Sequence, residues 1–184
     1  MNFQNTSNRL KLVLSVGDES GIGPEIILKA LYSNEIPENI DFIIVGSKKK
    51  LQNTYTHLRS LGLENLTNPN NLQIHDLKIS SSDNESKSGY GNSSFYYLTK
   101  AIEIVKQYPN SALVTGPICK KSWSLAGHHF SGQTEVLAKS CGAKNVGMLF
   151  TAKSPITGWR FNTLLATTHI PLCEVPKSLN SKLY

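Results

Sequence analysis

The feature that most constrains the fold is a short apolar run that ends in a glycine turn and leads into a helical pattern. Residues 10–16 read LKLVLSV, the turn GDESGIG follows, and PEIILKALYS then repeats apolar residues at helical spacing. A nearly uninterrupted apolar run of this length is typical of a strand buried on both faces, as in parallel sheets. Similar buried strands are predicted for DFIIVGS at 41–47 and SALVTG at 111–116.

Helical patterns separate these runs, and the alternation predicts an α/β domain with crossover connections. The predicted helices lie in KKKLQNTYTHLRS, which stops at Gly62, in FYYLTKAIEIVKQY, which ends before Pro109, and in TEVLAKSC, which Gly142 closes. VGMLFT at 146–151 and NTLLATTH at 162–169 are two further strand candidates. The Ser- and Asn-rich residues 80–94 predict a loop between the second and third helical segments.

Charge and cysteine content narrow the classes of partner and compartment. The net charge of +6 is spread along the chain, with one short basic run at 48–50, so it favours anionic small ligands over nucleic acid. The polar first residues lack the apolar core of a signal peptide, and no apolar stretch is long enough to span a bilayer. Three well-separated cysteines predict neither disulfides nor a zinc site, so we expect a cytoplasmic protein without membrane partners.

The turn GDESGIG does not have the properties of a phosphate-binding loop. The following helix begins at Gly23-Pro24-Glu25, where Pro24 offers no N–H and Glu25 already places a carboxylate in the first turn. The spacing fits neither the dinucleotide fingerprint nor the P-loop. Asp18 has two open interpretations, a hydrogen bond within its own turn or a place in the wall of an active cleft.

Two later segments contain candidate binding residues. In GQTE at 132–135, the Gln133 amide and the Thr134 hydroxyl could bind a polar or anionic group, although Thr134 could also simply cap the helix. His169 closes a predicted strand, where ligands collect in α/β proteins, but a lone histidine more often has no ligand role.

Four neighbouring side chains carry weaker expectations. Lys120 could attract phosphate or remain solvated. Cys119 is expected to be a small buried residue with an ordinary thiol, and His128 and His129 are expected to face solvent.

Three segments together resemble a known family. GDESGIGPEI, the stretch ALVTGPICKKSWSLAGHHFSGQTEVLA at 112–138, and LLATTHIPL at 164–172 are similar, in order and spacing, to signatures of the 4-hydroxythreonine-4-phosphate dehydrogenase family of vitamin B6 biosynthesis. The resemblance covers roughly residues 10–175, which is about the first half of a typical member. The first turn also resembles the corresponding turn of isocitrate and isopropylmalate dehydrogenases.

The resemblance implies a fold of the isocitrate/isopropylmalate dehydrogenase type, with two α/β/α domains and a central mixed sheet, of which this chain is the N-terminal portion. The first domain is then expected at about 10–79 and 95–130, with the loop 80–94 between, and the second from about 131 to 175. A homodimer that shares residues between its active sites is also implied.

The implied activity is NAD- or NADP-dependent oxidation and decarboxylation of 4-phosphooxy-L-threonine to 3-amino-2-oxopropyl phosphate. Gln133 and Thr134 would bind this small phosphorylated amino acid, and His169 would bind a divalent metal such as Zn, Mg or Co. No catalytic residue is assigned, and the cofactor-binding residues stay unknown. Two further family histidines lie in motifs, NPHAGE-like and YHDQGL-like, that these 184 residues do not contain.

One departure and two alternatives accompany this interpretation. The family carries histidine where this chain has Gln133, and an amide can bind substrate by hydrogen bonds but cannot carry charge. The chain could instead be a truncated, catalytically incomplete fragment that at most binds phosphorylated ligands. A small phosphate-ligand-binding or acyl-phosphate-transferase-like α/β protein is the third possibility.

Overall fold

The structure is a computed structural model that describes residues 9–33, 35–77, 86–167 and 170–179. The chain forms two compact units, residues 1–137 and 138–184. The predicted domain division near residue 131 stays a prediction.

A parallel four-stranded sheet forms the centre of the first unit. Its strands are β1 (Leu10–Ser15), β2 (Ile40–Gly46), β3 (Ile74–Asp76) and β4 (Ser111–Thr115), in the spatial order β3-β2-β1-β4. In the register of the sheet, Leu12 of β1 lies opposite Phe42 of β2 and Ala112 of β4. The strands are parallel because each connection between them carries the chain back through a helix or a long crossover.

Among the residues that the structure describes, five helices accompany this sheet along the chain. They are α1 (Gly23–Ala30), α2 (Lys48–Ser60), α3 (Lys87–Gln107), α4 (Lys120–Leu125) and α5 (Gln133–Cys141), of which α5 continues into the second unit. A short 3₁₀ turn at Pro69–Asn71 precedes β3. The predicted helices, including their ends at Gly62 and Gly142, which both have positive φ, are confirmed.

Both faces of the two central strands are covered. Val13 and Leu14 are neighbours in β1, and Ile43 and Ile44 are neighbours in β2, yet all four side chains are buried. Since successive strand residues point to opposite faces, apolar groups must pack on each side of the sheet. The same core takes in Ile27 and Leu28 of α1, Leu51 and Leu58 of α2, and Tyr97, Ala101 and Ile104 of α3.

The prediction that β4 is a buried strand is wrong. Each of its residues is half-buried or exposed, and Val114 retains 45% of its accessible surface. The reason is topological: β4 is an edge strand of the described sheet, so only β1 pairs with it. Apolar composition alone does not distinguish an edge strand from a central one.

The predicted loop at 80–94 is wrong over residues 87–94, which form the first two turns of α3. Ser86 caps this helix by accepting a hydrogen bond from the N–H of Gly89. Gly91 and Ser94 are buried because α3 packs closely against α4 at this point. The small polar residues thus allow a close helix contact, and residues 80–85 lie outside the described part of the chain.

The second unit contains an antiparallel hairpin of β5 (Leu149–Lys153) and β6 (Arg160–Leu164). Both strand candidates are confirmed, each shifted by a few residues. A 3₁₀ turn at Leu172–Glu174 and a short helix, α6 (Val175–Ser178), follow. The predicted mixed central sheet is wrong for the described residues, where the parallel sheet and the antiparallel pair are separate sheets.

Candidate functional site

The turns that follow β1, β2 and β4 meet at one edge of the sheet. Parallel strands all end at the same edge, so residues 16–22, 46–47 and 116–119 come together although they are far apart in sequence. The turns after β1 and β4 belong to two of the sequence motifs described above. The fold therefore places those two motifs side by side.

Two glycines allow the turn after β1 and the turn after β4 to interlock. Gly17 has a φ of +77°, and a methyl group on it would lie 2.3 Å from the carbonyl oxygen of Pro117. A methyl group on Gly116 would lie 2.3 Å from the carbonyl oxygen of Val16. Hydrogen bonds join the same turns, from the N–H of Asp18 to the Pro117 carbonyl and from the N–H of Gly116 to the Ser15 carbonyl, both at 2.8 Å. The two turns form one rigid unit.

The helix after this unit begins with Pro24 and Glu25 as the sequence predicts, but its N-cap residue, Ile22, makes no side-chain capping hydrogen bond. Pro24 occupies the first turn of α1, and the Glu25 carboxylate accepts a hydrogen bond from Lys29 one turn later. Asp18 is 6% exposed and its carboxylate accepts hydrogen bonds from the Ser20 N–H, at 2.9 Å, and the Ser20 hydroxyl, at 2.6 Å. Of the two interpretations of Asp18, the bond within its own turn is confirmed.

Glu19 links three elements beneath this edge. Its Oε1 accepts a hydrogen bond from the Tyr97 hydroxyl of α3 at 2.6 Å and one from the Ser47 N–H at 3.3 Å. Burial raises the pKa of Glu19, opposed by these two hydrogen bonds and by the nearby charge of Lys50. Burial and the Glu19 charge raise the pKa of Tyr97, which therefore stays a hydrogen-bond donor at neutral pH.

The hydrogen-bonded pair of Glu19 and Tyr97 predicts a stability that depends on pH. A carboxyl whose pKa is higher in the folded than in the unfolded state stabilises the fold most below its ordinary pKa of 4.5, and this stabilisation is lost as the pH rises through the folded pKa. The substitution Glu19→Gln keeps an acceptor for Tyr97 but removes the charge. We therefore expect Glu19→Gln to be at least as stable as wild type at pH 7 and less stable relative to it as the pH falls towards 4.

Urea unfolding of both proteins at several pH values measures this difference. Tyr97→Phe is the matched comparison, because it leaves the Glu19 carboxylate without its hydroxyl donor and should cost about 1–3 kcal/mol at pH 7. A difference between wild type and Glu19→Gln that does not change with pH would show that burial does not control this carboxyl.

Cys119, which lies between β4 and α4, does not have the environment that the sequence predicts. Cys119 is exposed rather than buried, because it stands at the N-cap of α4 with its side chain outside the core. Hydrogen bonds from the Ser122 hydroxyl and N–H lower the pKa of its thiol. Sequence alone could not show this, since the stabilising groups are set by the turn geometry.

The start of α5 lies against the interlocked turns. The Gln133 Nε2 donates a hydrogen bond to the carbonyl of Gly116 at 2.8 Å, and Thr134 is exposed beside it. A methyl group on Gly132 would lie 3.7 Å from the Lys120 ammonium and 3.5 Å from a carboxylate oxygen of Glu135. The turn before α5 thus has one cationic and one anionic neighbour, together with the helix N-terminus.

The expectation that both histidines of the pair face solvent is wrong for His128. Its ring stacks on Phe95 at 3.8 Å between centroids, and its Nε2 lies 3.0 Å from the Asn92 side-chain oxygen. Burial, together with the charge of His129, lowers the pKa of His128. The apolar surface that α3 presents draws the ring in, whereas His129 is exposed as expected.

The predicted metal ligand, His169, lies outside the described residues, as does Thr168. Among the described residues, no three His, Cys, Asp or Glu side chains lie close enough to hold a metal ion. The described donor set therefore does not by itself fit a divalent metal.

Within the described part of the chain, no helix combines the length and the apolar composition needed to cross a membrane.

Sequence reasoning missed the buried residues that support the site. Tyr97 lies within a predicted helix, but nothing in its spacing indicates a bond to Glu19, 78 positions away. The indole N–H of Trp123 donates to the Ser94 hydroxyl at 2.7 Å, and Ser94 lies in a stretch whose composition suggested a loop. The only signal in the sequence was the series of small residues at 88–94, because small residues can form a surface for close helix packing.

The fold and the site define an α/β protein whose parallel sheet carries interlocked glycine turns and a polar helix start at its carboxyl edge. A family model described as "Pyridoxal phosphate biosynthetic protein PdxA" matches residues 38–184 of the chain. Curated relatives named 4-hydroxythreonine-4-phosphate dehydrogenase are 44% identical over 171 residues in Synechococcus sp. (strain RCC307) and 44% over 182 residues in Nostoc sp. (strain PCC 7120 / SAG 25.82 / UTEX 2576). The chain belongs to the PdxA family.

The matches cover most of this chain but only part of the relatives. The alignments take in 92% and 95% of the chain and 51% and 50% of those two relatives, so the chain spans about half their length. A crystal structure of a 4-hydroxythreonine-4-phosphate dehydrogenase from Burkholderia phymatum aligns with a TM-score of 0.77 at 20% identity, over 95% of this chain and 55% of that one. A putative enzyme of the same name from Salmonella typhimurium aligns with a TM-score of 0.73 at 21% identity, over 95% of this chain and 56% of that one, and these two likenesses support the fold.

Proposed function

We propose that the chain forms part of an NAD(P)-dependent dehydrogenase of pyridoxal phosphate biosynthesis. Its substrate would be 4-phosphooxy-L-threonine, which is oxidised at the secondary alcohol and decarboxylated to 3-amino-2-oxopropyl phosphate. Family membership and the names of the relatives support this proposal, and none of the comparisons supports a chain that only binds phosphorylated ligands. An isocitrate dehydrogenase-like two-domain arrangement, a homodimer and a cytoplasmic location belong to the same proposal.

The observation that carries the proposal is the start of α5 at the sheet edge. The first backbone N–H groups of a helix of nine residues have no partners within the helix and favour an anionic or polar group. Thr134 adds an exposed hydroxyl, and Gln133 lies beside it. The Lys120 ammonium offsets the Glu135 carboxylate near the same turn, so a phosphorylated ligand does not meet an excess of negative charge there.

A nicotinamide cofactor and a divalent metal are also part of this proposal. A bound nicotinamide would accept the hydride from the substrate alcohol, and the chain's share is to hold the substrate at the start of α5. A divalent metal with His169 as one ligand is also proposed. It carries no assigned reaction step, because the described residues do not form a complete set of ligands.

Turnover of 4-phosphooxy-L-threonine tests the proposal directly. We expect reduced nicotinamide to form in the presence of a divalent cation and the cation-dependent rate to disappear in His169→Ala. The matched control is His57→Ala, which removes an exposed imidazole from α2 and should leave the rate unchanged. Reduced nicotinamide formed at the same rate by His169→Ala would refute the ligand assignment, and no turnover by the wild-type enzyme would refute the function.

A further inference from the structure

The orientation of the Gln133 side chain is fixed by its partner. The carbonyl oxygen of Gly116 can only accept a hydrogen bond, so the group 2.8 Å away must be the Nε2 donor of the amide. The amide oxygen then points to the other side of the Cδ atom. Gln133 is half-buried, so this bond is partly shielded from competing water.

The acceptor of this bond belongs to the two interlocked turns at the sheet edge. Gly116 donates its own N–H to Ser15 and approaches Val16 too closely to carry a side chain. The next residue, Pro117, accepts the N–H of Asp18. Through one amide, Gln133 therefore connects the first turn of α5 to both interlocked turns.

The opposite side of the α5 start packs into an apolar cluster. Val136 is buried in a cluster with Trp123, Leu98 and Ile102. Phe130, just before the helix, lies 5.7 Å from the ring centroid of Phe95. These contacts fix the depth of the helix but are not directional, whereas the Gln133 bond has a direction and a length.

We propose that Gln133 is a positioning residue that fixes the start of α5 for substrate. This inference rests on the proposed function, in which 4-phosphooxy-L-threonine binds at that helix start. Gln133 acts through the carbonyl of Gly116, and the contacts to the ligand's anionic groups come from Thr134 and the backbone N–H groups of α5. An uncharged amide suffices for this role, because neither partner of the bond titrates near neutral pH.

Hydrogen exchange followed by mass spectrometry tests whether the hydrogen bond from Gln133 to Gly116 holds the start of α5, without any assay of activity. Gln133→Met keeps the length of the side chain and removes the donor, so exchange should accelerate roughly three- to tenfold in residues 114–119 and 130–136. Gln52→Met is the matched control, since it removes a side-chain amide of α2 that donates to the side-chain oxygen of Asn70. It should leave both segments unchanged. Unchanged exchange in Gln133→Met would overturn the proposal.

Binding of 4-phosphooxy-L-threonine by calorimetry separates positioning from direct contact. Gln133→Met should weaken binding about tenfold, and Gln133→His should restore it, because an imidazole Nε2–H can donate to the same carbonyl. Between pH 5.5 and 8 the affinity of Gln133→His should run parallel to the wild-type profile, to which the phosphate contributes near pH 6. An affinity that rises above that profile as the imidazole protonates near pH 6.5 would mean direct contact with phosphate and would overturn the proposal.

The remaining outcomes are also decisive. Faster exchange with unchanged affinity in Gln133→Met refutes the positioning role while leaving the proposed function intact. Absence of binding by the wild-type protein refutes the proposed function itself, and with it any substrate for Gln133 to position.

Discussion

Replacing Trp123 with alanine is expected to lower the free energy of unfolding by about 4 kcal/mol. Trp123 is fully buried at the contact of α3 with α4, with its ring edge-on to Phe95 at 5.3 Å between centroids. The substitution removes the largest buried side chain of its cluster and leaves a cavity that the surrounding helices cannot fully close. Because Val136 of α5 packs in the same cluster, the helix start that carries Gln133 should loosen as well.

Urea unfolding followed by circular dichroism measures this loss. The matched control is Trp159→Ala, because Trp159 is 64% exposed in the second unit and should change the stability by less than about 0.5 kcal/mol. Ser94→Ala should fall between them, at about 1–3 kcal/mol, since it leaves the buried indole N–H without its acceptor. Equal losses in the two tryptophan variants would show that Trp123 is not the centre of the cluster.

Replacing Gly116 with alanine is expected to cost about 3 kcal/mol and to lower the melting temperature by roughly 6–12 °C. The added methyl group would lie 2.3 Å from the Val16 carbonyl oxygen and 2.7 Å from that of Ser15. Both are backbone atoms of a turn and strand that cannot move aside without breaking the hydrogen bonds between the interlocked turns. The carbonyl that anchors Gln133 would shift, so substrate affinity should fall beyond what the loss of stability explains.

Gly21→Ala is the matched control for this change. Gly21 lies in the same turn region, but a methyl group on it would have its nearest neighbour, the Asp18 carbonyl oxygen, at 3.5 Å, an ordinary contact. Its φ does not lie in the left-handed region, so alanine should be neutral or stabilise the fold slightly by restricting the unfolded chain. If Gly116→Ala and Gly21→Ala melt together, the interlocked turns are not rigid.

Much of the architecture could be predicted because it depends on local patterns. The runs around Val13 and Ile43 are apolar on consecutive residues, which requires cover on both faces of a strand and so indicates a parallel sheet between helices. Pro24, Gly62 and Gly142 mark helix ends through their own backbone preferences, and each lies where the pattern predicts. The family resemblance, which the comparisons confirm, likewise rests on short contiguous motifs.

The errors share a physical cause, which is that burial depends on neighbours distant in sequence. SALVT has the composition of a central strand but lies at a sheet edge, and the small polar residues 87–94 have the composition of a loop but form a helix against α4. His128 is half-buried for the same reason, since its ring stacks on Phe95 of α3. The residue type alone does not determine which distant residues pack against it.

The amino-acid sequence by itself determined the class of fold, the helix ends, two of the segments that meet at the candidate site, and the family. Only the tertiary structure decided that Gly17 and Gly116 interlock, that Glu19 bonds to Tyr97, and that Gln133 donates to a carbonyl 17 positions away. Propensity and periodicity act between residues a few positions apart, so the chain records them directly. A hydrogen bond or a close approach between distant residues exists only once the sheet has set the distance between their strands.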